Sequence, residues 1–172
     1  MTKFTRSELI QLFIPGTFVT HLWAFYTTFD VIPAWILYFK VGELFILLSY
    51  LFFYVFLESL AVFVLILVVG SILPSRLTQK NYIPASGIFV TGSAIIITFL
   101  RLNKFPPNIR QTYIIGLSLL LILIVFAAYI FPKIIIFTEK FLEQISSLAY
   151  VFFAIDAVSI VVVFLRTIRT NL

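Results

Sequence analysis

Leu44 to Leu73 is a run of thirty residues that contains one charge, Glu58, close to its centre. A stretch this long and this apolar does not suit the surface helix of a water-soluble domain. About 20 such residues span the hydrocarbon of a bilayer, so the run reads as a transmembrane helix. At 1.5 Å per residue it would be about 45 Å long, so it must tilt or protrude. A carboxyl at mid-membrane costs roughly 2.5–3.5 kcal/mol on insertion scales, which makes Glu58 a functional candidate.

The rest of the chain repeats the pattern. Of its 172 residues, 62% are hydrophobic and 11% charged, with a mean hydropathy of +1.16. A globular domain carries about 25% charged residues. The expectation is a single polytopic domain over residues 1–172, all-α and integral to a membrane. Candidate spans are 9–29, 44–73, 85–100, 113–131 and 148–165. Short connections such as 101–110 make sequence neighbours antiparallel, giving an up-and-down bundle.

The first span is the weakest. It holds Gln11, Thr17, Thr20 and His21, and Pro15-Gly16 is expected to break it. It lacks a small-x-small cleavage site, so it reads as retained rather than as a signal peptide. Apolar length favours five crossings. Charge favours four: five crossings divide the twelve Lys and Arg six and six, whereas four divide them eight and four. The positive-inside rule therefore leaves orientation open. Two further stretches have an interfacial composition. Asp30 to Glu43 mixes Trp35, Tyr38 and Lys40; Lys133 to Ser147 spaces Phe137, Phe141 and Ile145 four apart, with charges opposite. The alternative for both is continuation of the neighbouring helices.

Composition also excludes chemistry. Without cysteine there is no disulfide, thiolate ligand or cysteine nucleophile. The net charge of +5 lies at the ends of the apolar segments, where it suits anionic lipid rather than nucleic acid. Ala61 stands where a Glu-x-x-His di-iron motif beginning at Glu58 would need histidine. Pro84 replaces the first glycine of a Gly-x-Ser-Gly motif ending at Ser86-Gly87. No metal or cofactor is expected.

His21, Glu58 and Asp156 are the only acidic or basic side chains inside the spans. Glu58 and Asp156 are each central in their run, so they are expected at similar depth. An isolated ion in hydrocarbon is too costly, so each needs a partner, a proton or water. The candidate polar site is Glu58, Asp156 and His21, with Tyr54 and Ser159 one turn from the acids as hydrogen-bond partners. Three roles are open: interhelical glue, a proton or cation site, and contact with a partner subunit. Gly87, Gly92, Ser93 and Ala94 allow close helix approach, which suggests a central third helix. The aromatic residues of span two, such as Phe45, Tyr50 and Phe52, read as packing against lipid and neighbours. The expected role is a non-catalytic structural or accessory subunit of a membrane complex, partnered by the bilayer and by other subunits or copies of itself. The alternative is a proton- or cation-coupled transporter or channel, acting as an oligomer through Glu58 and Asp156. The sequence gives no reason to call it an enzyme.

Overall fold

The computed structural model describes residues 4–72, 81–103 and 105–170. Lys3, Arg76, Lys80 and Lys104, and most of the connection after Leu73, lie outside these residues. Five helices account for the described chain: α1 (Arg6–Tyr38), α2 (Val41–Ile72), α3 (Tyr82–Leu102), α4 (Pro107–Ile130) and α5 (Pro132–Thr170). All five contain a stretch long and apolar enough to cross a membrane.

Local chemistry sets the helix boundaries. Thr5 and Glu8 form a capping box at the start of α1, with Thr5 N–H donating to Glu8 Oε2 at 2.6 Å. Lys40 N–H donates to Glu43 Oε2 at 2.9 Å ahead of α2. Pro107 and Pro132 open α4 and α5, where the missing N–H costs no helical bond.

Two expectations change here. Pro15-Gly16 does not break the first helix, because α1 runs continuously through both Pro15 and Pro33. The turn after Pro15 is reinforced by side chains: Thr17 donates to the Phe13 carbonyl at 3.2 Å and Thr20 to the Gly16 carbonyl at 2.9 Å. Pro15 itself removes only the donor to the Gln11 carbonyl, and Gln11 is exposed near the start of α1. Of the two stretches with interfacial composition, Lys133 to Ser147 lies within α5, as the reading of helical continuation has it, and Asp30 to Glu43 is divided between the end of α1 and the start of α2. At 1.5 Å per residue α5 is about 58 Å long.

Ring contacts give the helix directions. Along α1, Phe13 meets Phe63 edge-on at 5.1 Å and Phe25 meets Phe52 at 5.1 Å, so α2 runs the opposite way. Pro15 lies near Gly87 and Trp23 under Arg101, so α3 runs with α1. Ile14 packs with Leu142, Ile145 and Ala149, while His21 stacks on Phe152 further along, so α5 also runs with α1.

The helix at the centre is α1, not α3. It packs against α2, α3 and α5, and 39% of its apolar window is buried, against 22% or less in the others. It is also the least hydropathic of the five. In a bundle with an apolar exterior, the most polar helix gains most from being enclosed, so low hydropathy marks the centre. Gly87 faces Leu142 and Pro15, and Gly92 faces Leu121, so these glycines seat α3 against α5, α1 and α4.

Gly16 sets the α1–α2 distance. A Cβ there would lie 3.2 Å from Val62 Cγ1 and 3.7 Å from the Ser59 carbonyl oxygen. Gly16→Leu is expected to force the helices apart and lower stability by about 1–3 kcal/mol. Denaturant titration in micelles measures this; an unchanged midpoint would refute the close contact.

Candidate functional site

The middle of the bundle holds a polar layer built on α1. Thr17, His21, Ala24 and Thr28 follow one another at four-, three- and four-residue intervals, and all four are buried. That spacing places them on one helix face.

His21 is fully buried, and both of its ring nitrogens are engaged. Nδ1–H donates to the Thr17 carbonyl at 2.8 Å. Because a carbonyl can only accept, this bond fixes the proton on Nδ1. Nε2 is joined to Asp156 Oδ1 by a 2.9 Å hydrogen bond across to α5. The imidazole stacks on Phe152 at 4.6 Å between centroids and lies nearly parallel to Phe52 at 6.1 Å. Asp156 is 1% exposed.

Proton counting follows from these bonds. Nδ1 keeps its proton, so one further proton is shared between Nε2 and Oδ1. Whichever atom holds it, the pair has no net charge. That suits apolar surroundings, where an unpaired ion is costly. Asp156 Oδ2 and Thr28 Oγ1 have no hydrogen-bond partner among the described residues.

A second link lies beside the first. Thr20 Oγ1 and Ser59 Oγ are 2.6 Å apart and tie α1 to α2. Each hydroxyl has one proton, so one donates across this contact while the other donates to a carbonyl of its own helix, Val55 for Ser59 and Gly16 or Thr17 for Thr20. The Thr17 carbonyl, 3.1 Å from Thr20, is the one that serves His21. The layer thus joins three helices through one turn of α1.

Glu58 stands apart from this layer. Although adjacent to Ser59 in sequence, it is exposed and makes no hydrogen bond or ion pair with a described residue. It lines a cavity of about 640 Å³ between α1, α2 and α3, with Thr20, Trp23, Thr91, Ala94 and Thr98 among the walls. Near one end of this cavity the Arg101 guanidinium lies 4.8 Å from the Trp23 ring centroid.

The structure therefore brings His21 and Asp156 together and leaves Glu58 on a different surface. Tyr54 is 63% exposed, and Ser159 is buried with its hydroxyl donating to the Ile155 carbonyl at 2.8 Å. Neither hydrogen-bonds a carboxyl among the described residues. Ser93 is half-buried on α3, and Ala94 faces the Glu58 cavity. Sequence reasoning missed Thr17, Thr20, Ser59 and the flanking Phe52 and Phe152. The 4-3-4 spacing of Thr17, His21, Ala24 and Thr28 was the available signal. Among the described residues, no third acidic or histidine side chain joins His21 and Asp156 to form a metal site.

Asparagine in place of Asp156 can donate an N–H to Nε2 and preserves both the Nδ1–H tautomer and net neutrality. Asp156→Asn is expected to remain close to wild type. Asp156→Leu strands Nε2 in the core and is expected to cost about 1–3 kcal/mol. A double-mutant cycle of His21→Phe with Asp156→Leu is expected to give a coupling of about 0.6–1.7 kcal/mol. Unfolding in mixed micelles reads all three, and equal losses for Asn and Leu would overturn the proton count.

No protein-family model, curated protein or solved structure matches this chain.

Proposed function

We propose that the chain is a multi-pass integral membrane protein, its five helices crossing a cellular membrane up and down, and that it serves as a non-catalytic subunit of a larger membrane assembly. The membrane reading is supported by an inside-out distribution of side chains. Thr17, His21, Ser59 and Asp156 are buried, while Leu65, Ile95, Leu123 and Phe164 are each at least 60% exposed. An apolar exterior this extensive needs lipid or protein against it.

One observation carries the subunit reading: Glu58 lies mid-helix on an exposed apolar groove and has no partner among the described residues. A carboxyl facing lipid there costs about 2.5–3.5 kcal/mol. A polar group on a neighbouring protein offsets that cost, whereas acyl chains offer nothing to bond. The closed state of the other polar site supports a non-catalytic role. Catalysis needs acid–base groups that substrate can reach, and the His21–Asp156 pair is 0% and 1% exposed.

Native mass spectrometry of the tagged chain, extracted from its own membrane with surrounding lipid, tests this. A second polypeptide is expected to co-purify, and Glu58→Ala is expected to reduce its occupancy severalfold. A strictly monomeric chain without a companion would overturn the subunit role.

A proton- or cation-coupled oligomer is the second reading. Its support is that Thr20 both lines the Glu58 cavity and shares the Thr17 carbonyl with His21, so polar groups extend from the cavity toward Asp156. That reading expects pH-dependent ion flux in liposomes which Glu58→Gln abolishes. Equal flux in empty and loaded vesicles would exclude it.

A further inference from the structure

We propose that the groove between α1, α2 and α3 receives a transmembrane helix of a different protein, one that carries a lysine or arginine at the depth of Glu58. The inference rests on the subunit reading above and specifies the chemistry of the partner.

Three observations converge on this occupant. The first is charge. Among the described residues, Glu58 is the only acidic or basic side chain lining the cavity, and it has no partner there. A basic group at that depth forms a neutral pair with the carboxyl, so the two become far cheaper to bury together than apart. The second concerns the source of the cation. All twelve Lys and Arg of this chain lie outside the central parts of its spans. In a second copy no Lys or Arg stands mid-span to face Glu58, and Arg101, at the end of the groove, is engaged on the Trp23 ring, so the proposed partner is another protein. Lipids are excluded by the same depth requirement, since they hold their polar groups at the headgroup boundary.

The third observation is shape. Thr91, Ala94 and Thr98 follow three- and four-residue spacing along α3 and line the groove opposite Thr20 of α1. Thr91 and Thr98 make no hydrogen bond with a described residue. A wall of small side chains lets another helix backbone come close, and free hydroxyls can bond across the contact. Polypeptide facing lipid at mid-membrane must be helical, because its backbone groups have no water to bond. Trp23 and Tyr26 continue the groove toward Arg101, giving an aromatic wall beyond the acid.

The full chain, with photoreactive benzoylphenylalanine in place of Ile95 on the groove wall, provides the test. It is reconstituted in phosphatidylcholine vesicles with synthetic Leu-Ala transmembrane peptides of about 20 residues. The peptides differ only at a central residue, which is Lys, Leu or Glu. The Lys peptide is expected to crosslink about three- to eighteen-fold more than the Leu peptide. Glu58→Leu is expected to erase the preference, and Glu58→Gln to reduce it. The unfolding midpoint of each variant checks that the fold is intact. Equal labelling by the Lys and Leu peptides overturns the basic partner while leaving helix docking standing. A crosslinked dimer of the chain, with no peptide labelled, overturns the foreign partner. No labelling at all also overturns the basic partner, and the subunit reading is then decided independently by native co-purification.

Discussion

The bundle is organised by the hydrogen-bonding needs of one side chain. His21 sits at the centre of the central helix with both ring nitrogens engaged, one by its own backbone and the other by α5. Each bond constrains something larger. The Thr17 bond fixes the tautomer, and with it the kind of group that can face Nε2. The Asp156 bond sets the register of α5 along α1. The rings of Phe52 and Phe152 then flank the imidazole and extend the same register to α2. Burying His21 without these partners would cost more than a typical interhelical contact returns, so the polar layer is best regarded as one unit.

Around this layer, the logic of a soluble core is reversed. Small and polar residues hold the helices together, and large aliphatic residues cover the outside. Gly16 and Gly87 permit close approach, and Thr20 with Ser59 bonds across one of the contacts. The peripheral helix, α4, shows the other extreme: only 11% of its apolar window is buried. The chain thus grades from a polar, enclosed α1 to an apolar, exposed α4. In the proposed bilayer setting that gradient replaces the hydrophobic effect as the sorting rule, because lipid tails are as apolar as leucine.

Five apolar helices were legible in the sequence because length and hydropathy are local properties. So was the candidacy of His21, Glu58 and Asp156, since charged or titratable groups stand out in apolar runs. Their arrangement was not legible. Glu58 and Asp156 look alike in sequence, each mid-run and each near small hydroxyl residues. Which one faces inward depends on helix rotation, and in α2 almost every face is apolar. Ser59 turns toward Thr20, and that small preference carries the neighbouring Glu58 outward. The centrality of α1 was concealed for a related reason. Its weak hydropathy suggested a marginal crossing, whereas the 4-3-4 spacing of Thr17, His21, Ala24 and Thr28 marks an inward-facing seam. Pro15 misled in the same direction, because the loss of one helical bond, to the Gln11 carbonyl, does not end α1 there.

The His21–Asp156 bond joins residues 135 positions apart, and this separation has a consequence for biosynthesis. A ribosome adding about 5–20 residues per second needs on the order of ten seconds to reach Asp156 after making His21. Throughout that interval α1 has no final partner for its imidazole. Helix α1 is made well before α5, yet the partner of its imidazole waits on the arrival of α5. A chain cut short before Asp156 would expose an unmet polar group in the helix on which α2 and α3 pack.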